Sequence, residues 1–430
     1  MMARGMGVRR GARVVIVGAG FAGASLIRHL PSALQRPGET LLVDREDAYS
    51  FIPLIHEVAV GRIHPDSVRS PIPLLCDGRC DFLKAKVTGV NLTERVLETS
   101  SGKIGYEYLV LAAGSGAARP PDDLAPHFQL FWTLQDALQL RTSLSEAWRM
   151  ATSRAPAGEA HPGDLTVAIA GGGATGVELA AEVAVLFRYL KKRTTRSPFF
   201  EPRVVLLEAE DRLIGWLDKY FHDVAIEQLA SLGVEVRLNT PVQEANEEGL
   251  QAGDGWLPAH VRVWAAGIDV SDLVRDLPGE HDATGRIGVD AYLTLPGQRE
   301  VYVLGDAGHY EDPRHGPLPP TASVAVQQGP WAARDLGRRF RGRTALEERP
   351  PFRFFDRGYV VSLGPESAVV EAVGVRLKGA AAQALYRSVL LYYLKSRRDR
   401  ILTGADWAME RTIGRVGFGA ASQSVSQPIS

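Results

Sequence analysis

Two stretches of this chain carry glycines at the spacing that a pyrophosphate needs. The first is Gly18-x-Gly20-x-x-Gly23 and the second is Gly171-x-Gly173-x-x-Gly176. The chemistry is anion binding by backbone. The first glycine makes a sharp turn, the second lets the main chain approach the anion, and the third lets a helix pack on a strand. The free N–H groups and the positive dipole end of that helix then face the ligand. A lone glycine motif is weak evidence. Here each follows a short β-branched run, Arg13 to Val17 and Thr166 to Ala170, and each opens a helix-like stretch, Ala24 to Leu30 and Val177 to Lys191. Strand, tight turn and helix are the context the motif requires.

Carboxylates follow at the ends of the next buried runs. Thr40 to Val43 leads into Asp44, twenty-one residues beyond Gly23, and Val204 to Leu207 leads into Glu208, thirty-two beyond Gly176. An acid there accepts hydrogen bonds from both ribose hydroxyls and repels a 2′-phosphate, so Glu208 predicts NADH over NADPH. The longer second gap is filled by the basic, proline-containing Lys191 to Pro202, read as an inserted loop. Its charges (Lys191, Lys192, Arg193, Arg196) read as a solvated face that could blunt the preference. Two further strand ends complete the first unit: Tyr108 to Ala113-Gly114-Ser115, and Glu300 to Gly305-Asp306. Glu178, two residues past Gly176, has two readings: contact with nicotinamide or proton relay, or a favourable charge at a helix N-terminus.

These residues demand an α/β fold with two Rossmann-type domains and a small C-terminal α+β region. The expected division is 1–155 with 285–348 for an FAD-binding domain, 160–284 for an NADH-binding domain, 349–415 for a C-terminal region and 416–430 for a disordered tail. Thr152 to Asp164 reads as a linker. Arg349 to Leu377, with Phe352, Phe354, Tyr359, Val361, Val369, Val373 and Val375, reads as a small antiparallel sheet. Gln383 to Lys395 and Arg400 to Ile413 read as two amphipathic helices.

Composition narrows the classes. The chain has 430 residues, a formal net charge of −1 and two cysteines. No basic run interleaved with aromatics points to nucleic acid. Cys76 and Cys80 exclude a disulfide framework and a four-thiolate zinc site, and read as ordinary thiols beside a strand or one local redox couple. No metal site is expected. The basic first residues run into a glycine motif, so no secretory signal is expected, and no apolar stretch approaches the ~18 residues of a membrane span.

Together the landmarks resemble the type II (non-proton-pumping) NADH:quinone oxidoreductases, within the two-dinucleotide-binding flavoprotein disulfide reductase superfamily. The resemblance covers roughly Arg13 to Arg415. Its telling segments are Val43 to Leu54, Gly171 to Ala180, Val263-Trp-Ala-Ala-Gly267, and Pro320 to Gly329 with Ala322, Gln327 and Gln328. It implies hydride transfer from NADH to FAD and delivery of electrons to a quinone. The implied FAD residues are Gly18, Gly20, Phe21, Ala22, Gly23, Asp44, Arg45, Val87, Ala113, Gly114, Gly305, Asp306 and Ala322. The implied NADH residues are Gly171, Gly173, Ala174, Thr175, Gly176, Glu178, Glu208, Ala266 and Gly267. Glu178, Gln327 and Gln328 are the catalytic candidates. Ser323 stands where the family usually has Gln, Ala113 where it often has Thr, and Ile52, His56 and Glu57 where it often has Gln, Tyr and Gln. These departures bear on the electron acceptor and leave the nucleotides untouched. Disulfide reductases and sulfide:quinone oxidoreductases place their cysteines elsewhere.

From Arg376 to Arg415 nine Lys or Arg stand against three acids, mixed with aromatic and aliphatic residues. That profile suits a helix lying in a membrane interface, and it also suits a homodimer contact or packing on the core. The expectation is a peripheral protein at the cytoplasmic face of the cell membrane. Two other functions stay open: a soluble NAD(P)H-dependent flavoprotein reductase with a non-quinone acceptor, and a slow-turnover NADH-sensing binding protein.

Overall fold

The computed structural model describes residues 11–154, 161–193, 201–342 and 349–413. In chain order, the first elements around the site are β1 (Val14–Val17), α1 (Phe21–Arg28), β2 (Thr40–Asp44), α2 (Ile55–Ala59), β3 (Asp81–Lys84) and β4 (Tyr108–Leu111). Next come β5 (Gln129–Leu130), β6 (Thr166–Ala170), α3 (Ala174–Arg193), β7 (Arg203–Leu207), β8 (Val234–Arg237) and β9 (Val261–Trp264). The last are β10 (Thr294–Leu295), β11 (Gln298–Val303), α4 (Ala322–Phe340), β12 (Tyr359–Ser362), β13 (Ala368–Ala372), β14 (Val375–Gly379), α5 (Ala380–Tyr393) and α6 (Arg397–Ile413).

The chain divides into two compact units. The first holds Met1–Ser50, Arg69–Gly116 and Ile268–Asp356, and the second holds Phe51–Val68, Ala117–Gly267 and Arg357–Ser430. In the first unit a sheet runs β10-β11-β4-β1-β2-β3, parallel except at β10. β1 is buried along its whole length, Val14 to Val17, as a central parallel strand covered on both faces must be. α4 packs on α1, and it needs Gly329 to do so: a Cβ there would lie 2.5 Å from the Ala22 carbonyl oxygen. Toward its other end, Asp335 is fully buried, accepts from Tyr302 Oη at 2.6 Å and pairs with Arg349 at 2.7 Å.

The second unit repeats the plan with a parallel sheet β5-β9-β6-β7-β8. Its C-terminal part is an antiparallel β12-β13-β14 followed by α5 and α6. The small sheet begins at Tyr359, later than the alternation suggests. Phe352 and Phe354 are buried but lie outside any strand, so their apolar spacing reports core packing and not a ladder. The expected linker also starts late, because helix Leu134–Arg154 runs through Thr152. Residues 155–160, Arg196 and the expected tail, 416–430, lie outside the described residues.

The contacts also divide the chain elsewhere than the sequence suggests. Phe51–Val68 and the stretch after Gly116 join the second unit, while Ile268 onward has already returned to the first. The excursion 51–68 carries the short helix Ile55–Ala59, all of it buried, so it follows the core it packs into and not its neighbours in sequence.

Candidate functional site

The two glycine turns have the same geometry, position by position. Gly18 has φ +99° and Gly171 φ +110°, a left-handed region that favours glycine. An added Cβ would lie 2.3 Å from the Ala112 oxygen at Gly18 and 2.6 Å from the Ala265 oxygen at Gly171. At Gly23 and Gly176 it would lie 2.0 and 1.9 Å from the oxygen of the first glycine in its own motif. At Gly20 and Gly173 it would meet nothing within 4 Å. So the outer glycines are required by the fold. The middle ones are required by nothing in the chain, which is what a surface for a closely approaching ligand looks like.

The acids repeat as well. Asp44 Oδ2 accepts from Ala19 N at 2.7 Å and Oδ1 from Glu46 N at 2.9 Å. Glu208 Oε2 accepts from Gly172 N at 2.6 Å and Oε1 from Glu210 N at 2.9 Å. Each carboxylate is tied to its own glycine turn, so turn and acid form one preorganised piece. Phe21 and Ala22 open α1, and Ala174 and Thr175 open α3.

The other candidates of the first unit gather at the same sheet edge. Ala113 and Gly114 follow β4, and Gly305 follows β11, where a Cβ would sit 3.5 Å from the Ala22 Cβ. Asp306 accepts from Ser115 Oγ at 2.7 Å, and burial pushes its carboxyl above the usual range. Arg45 is exposed just past β2. Val87 stands apart, opening a separate three-stranded sheet three residues beyond β3. In the second unit Ala266 and Gly267 follow β9, Gly267 with φ +84°. The residues therefore fit two dinucleotides: an open cradle, a helix N-terminus and a ribose-height acid in each unit.

Gln327 and Gln328 are both engaged inside their own unit. Gln328 is buried and its Oε1 accepts from Gly305 N at 2.6 Å. Gln327 donates to the Ser323 and Phe355 oxygens at 3.1 and 3.0 Å and accepts from Phe355 N at 3.1 Å. These amides brace the first turns of α4, where Ala322 sits, and the buried Ser323 hydroxyl makes no hydrogen bond. Cys76 and Cys80 are free thiols whose side chains hydrogen-bond each other, which lowers the pKa of Cys76 and raises that of Cys80.

Glu178 lies in a polar cluster that the sequence did not announce as a unit. Its Oε1 accepts from Ser362 N at 3.0 Å, and its Oε2 lies 3.6 Å from His56 Nδ1. Burial, with Glu57 and Glu182 nearby, pushes its carboxyl up to about 8 against the pull of the Ser362 N–H. Glu178 is thus mostly protonated at neutral pH, which disfavours the reading of a fixed charge at the helix start. Burial, then Arg62, depresses His56 to about 3, leaving a neutral imidazole. Arg62 bonds Glu182 and, at 2.8 Å, Glu410, with Glu57 at 3.7 Å. Burial works against its charge, but those three acids hold it above its usual range. Arg62, Glu182 and Ser362 were missed in the sequence. Only the departure at His56 and Glu57 could have pointed there.

Residues 12–329 match the family described as pyridine nucleotide-disulphide oxidoreductase. The chain belongs to this family. Among curated relatives it is 29% identical to the type II NADH:quinone oxidoreductase of Mycobacterium tuberculosis, over 92% of this chain and 87% of the relative. It is 27% identical to the demethylphylloquinone reductase of Synechocystis, over 94% and 96%. Among solved structures, the NDH2 protein of Plasmodium falciparum in complex with NADH aligns with a TM-score of 0.83 at 16% identity, over 95% of this chain and all of that one. The sulfide:quinone oxidoreductase of Aquifex aeolicus aligns at 0.72 and 17%, over 94% and 96%.

Proposed function

We propose that the protein is an FAD-dependent oxidoreductase that takes a hydride from NADH and delivers electrons to a membrane quinone. The observation that carries the reading is the doubled cradle, two glycine turns each tied to its own acid, in a chain whose curated relatives are named for NADH and quinone chemistry. We assign FAD to the unit with Gly18, Gly20, Gly23 and Asp44, and NADH to the unit with Gly171, Gly173, Gly176 and Glu208. Bound FAD would supply two-electron chemistry that amino-acid side chains lack.

The chain's own residues bind and position. Backbone N–H groups at the starts of α1 and α3 take the pyrophosphates. Asp44 and Glu208, already turned by their glycine loops, take ribose hydroxyls. Gln327 and Gln328 hold the start of α4 rigid. The net reaction, NADH + H⁺ + quinone → NAD⁺ + quinol, consumes one proton beyond the hydride. Glu178 is suited to deliver it, because its carboxyl is still protonated at neutral pH.

We place the protein peripherally at the cytoplasmic face of the membrane, held by α5 and α6. No helix among the described residues is long and apolar enough to cross a membrane. Tyr392, Ile401 and Met409 are exposed amid the basic residues of this segment.

The test is steady-state turnover with NADH or NADPH against a panel of acceptors: short-chain quinones, a disulfide, ferricyanide and oxygen. The reading expects quinone as the preferred physiological-type acceptor and NADH favoured about tenfold or more over NADPH, the size of a differential contact of roughly 1.4 kcal/mol. Turnover with a disulfide and none with any quinone would refute it.

A further inference from the structure

Glu178 sits on α3 in a cluster of polar groups from other elements of the same unit, among them β12, from whose Ser362 N–H it accepts a hydrogen bond. His56 and Glu57 come from α2, Arg62 from the turn beyond it, Tyr386 from α5, and Glu410 from α6, with Glu182 one turn along α3. Arg62 bonds Glu182 and Glu410 and lies 3.7 Å from Glu57, whose Oε2 accepts from Trp407 Nε1 at 2.7 Å and whose Oε1 makes no hydrogen bond. One cation facing three acids keeps the local field negative, which resists ionisation of Glu178.

His56 is the member of this cluster that faces Glu178 and carries two nitrogens able to take and give a proton. It is 3% exposed, its Nδ1 faces Glu178, and its Nε2 is buried without a hydrogen-bond partner. The Tyr386 hydroxyl is also buried without a partner, and burial raises its pKa. A buried polar atom without a partner costs free energy, so a chain that keeps one beside an acid needs a reason for it. An imidazole has two nitrogens that exchange roles, which lets it take a proton on one side and give one on the other.

We propose that His56 is a positioning residue that reloads Glu178 with a proton after each acceptor reduction. The inference rests on the quinone reading above. Glu178 gives its carboxyl proton to the reduced acceptor's oxygen and becomes a carboxylate. The 3.6 Å contact then becomes a charge-assisted hydrogen bond, and such bonds are shorter. His56 Nδ1 hands its proton to that carboxylate while Nε2 takes one originating in solvent. The imidazole is neutral before and after, with its proton moved from one nitrogen to the other, and exchange with solvent, one proton off Nε2 and one onto Nδ1, restores the starting tautomer with no net uptake. One solvent proton enters per quinol formed, and no electron passes through His56.

The experiment uses the full chain with its flavin, in H₂O and D₂O, and compares one anaerobic reoxidation of the reduced protein by a short-chain quinone with steady-state turnover on NADH and the same quinone. Two uncharged variants are compared, His56→Asn, which keeps a polar atom near the Nδ1 position, and His56→Gln, which keeps one near Nε2. A relay predicts that both variants slow steady-state turnover by about 10- to 100-fold, within the range of positioned proton transfer, while the first reoxidation, which spends the proton already on Glu178, keeps its wild-type rate. It also predicts a larger solvent isotope effect and NADH reduction within twofold of the wild type. The infrared band of the protonated Glu178 carboxyl, identified by its loss in Glu178→Gln, should still titrate as in the wild type. That readout separates relay from repacking. Wild-type steady-state turnover in both variants overturns the relay alone, and so does an equal slowing of the first reoxidation or a shifted carboxyl titration that accounts for the slowing. If quinone fails to reoxidise the wild-type protein, the acceptor reading falls and the relay falls with it.

Discussion

Glu178 shows how a residue's meaning depends on neighbours that the sequence does not place. Its position after Gly176 is plain in the chain, and both of its readings followed from that position. What separates them is burial beside Glu57 and Glu182, which come from α2 and from the next turn of the helix. The pH consequence has a definite sign. The active form is protonated, so the acceptor step should be fast below about pH 8 and fall above it. Glu178→Gln should flatten that profile and slow the step by about 10²-fold, measured by stopped-flow reoxidation across pH. Stability follows the same shifts in opposite senses. The pKa of Glu178 is raised from 4.5 to about 8, so its contribution is full below 4.5 and lost as pH rises toward 8. His56 is depressed from 6.5 to about 3, so its contribution is full above 6.5 and lost as pH falls toward 3.

At the scale of elements, strand–turn–helix units were the most legible part. The glycine spacing, the β-branched runs and the acids at strand ends are local signals, and the structure puts them in the same relation twice. The glycines divide by role, and mutations should divide with them. Gly171→Ala should lower stability by about 1–3 kcal/mol, because its φ and the Ala265 oxygen both oppose a Cβ. Gly173→Val should melt within a few degrees of the wild type but lose NADH binding, since its side chain projects into open space. Thermal melts paired with NADH titrations of both variants check this, and equal stability loss at the two positions would contradict it. The small sheet was less legible. Phe352 and Phe354 alternate like a strand, but the core that buries them needs no ladder there. The excursion 51–68 gave no boundary signal either, because its allegiance is set by long-range packing.

For the whole molecule, the C-terminal helices were read as either membrane-facing or core-facing, and their side chains divide between the two. Tyr386, Leu390, Leu394 and Trp407 are buried, while Tyr392, Ile401 and Met409 are exposed at 68%, 70% and 38%. Tyr392 and Ile401, the most exposed, are the side chains placed to meet lipid. Replacing Tyr392 and Ile401 by Ser should cut binding to anionic vesicles several-fold while leaving the melting temperature nearly unchanged, because no buried contact is lost. Co-sedimentation with vesicles measures the first and calorimetry the second. Unchanged vesicle binding, together with a change from dimer to monomer, would assign those side chains to a homodimer instead.

The central claim is that one chain carries electrons from NADH through a bound flavin to a quinone. The most direct measurement is an anaerobic titration of the purified protein followed by visible absorbance. Absorbance near 450 nm should bleach with one equivalent of NADH and return with one equivalent of short-chain quinone. Bleaching without return would contradict the acceptor, and a protein that shows no flavin absorbance and retains none on reconstitution would contradict the account at its root.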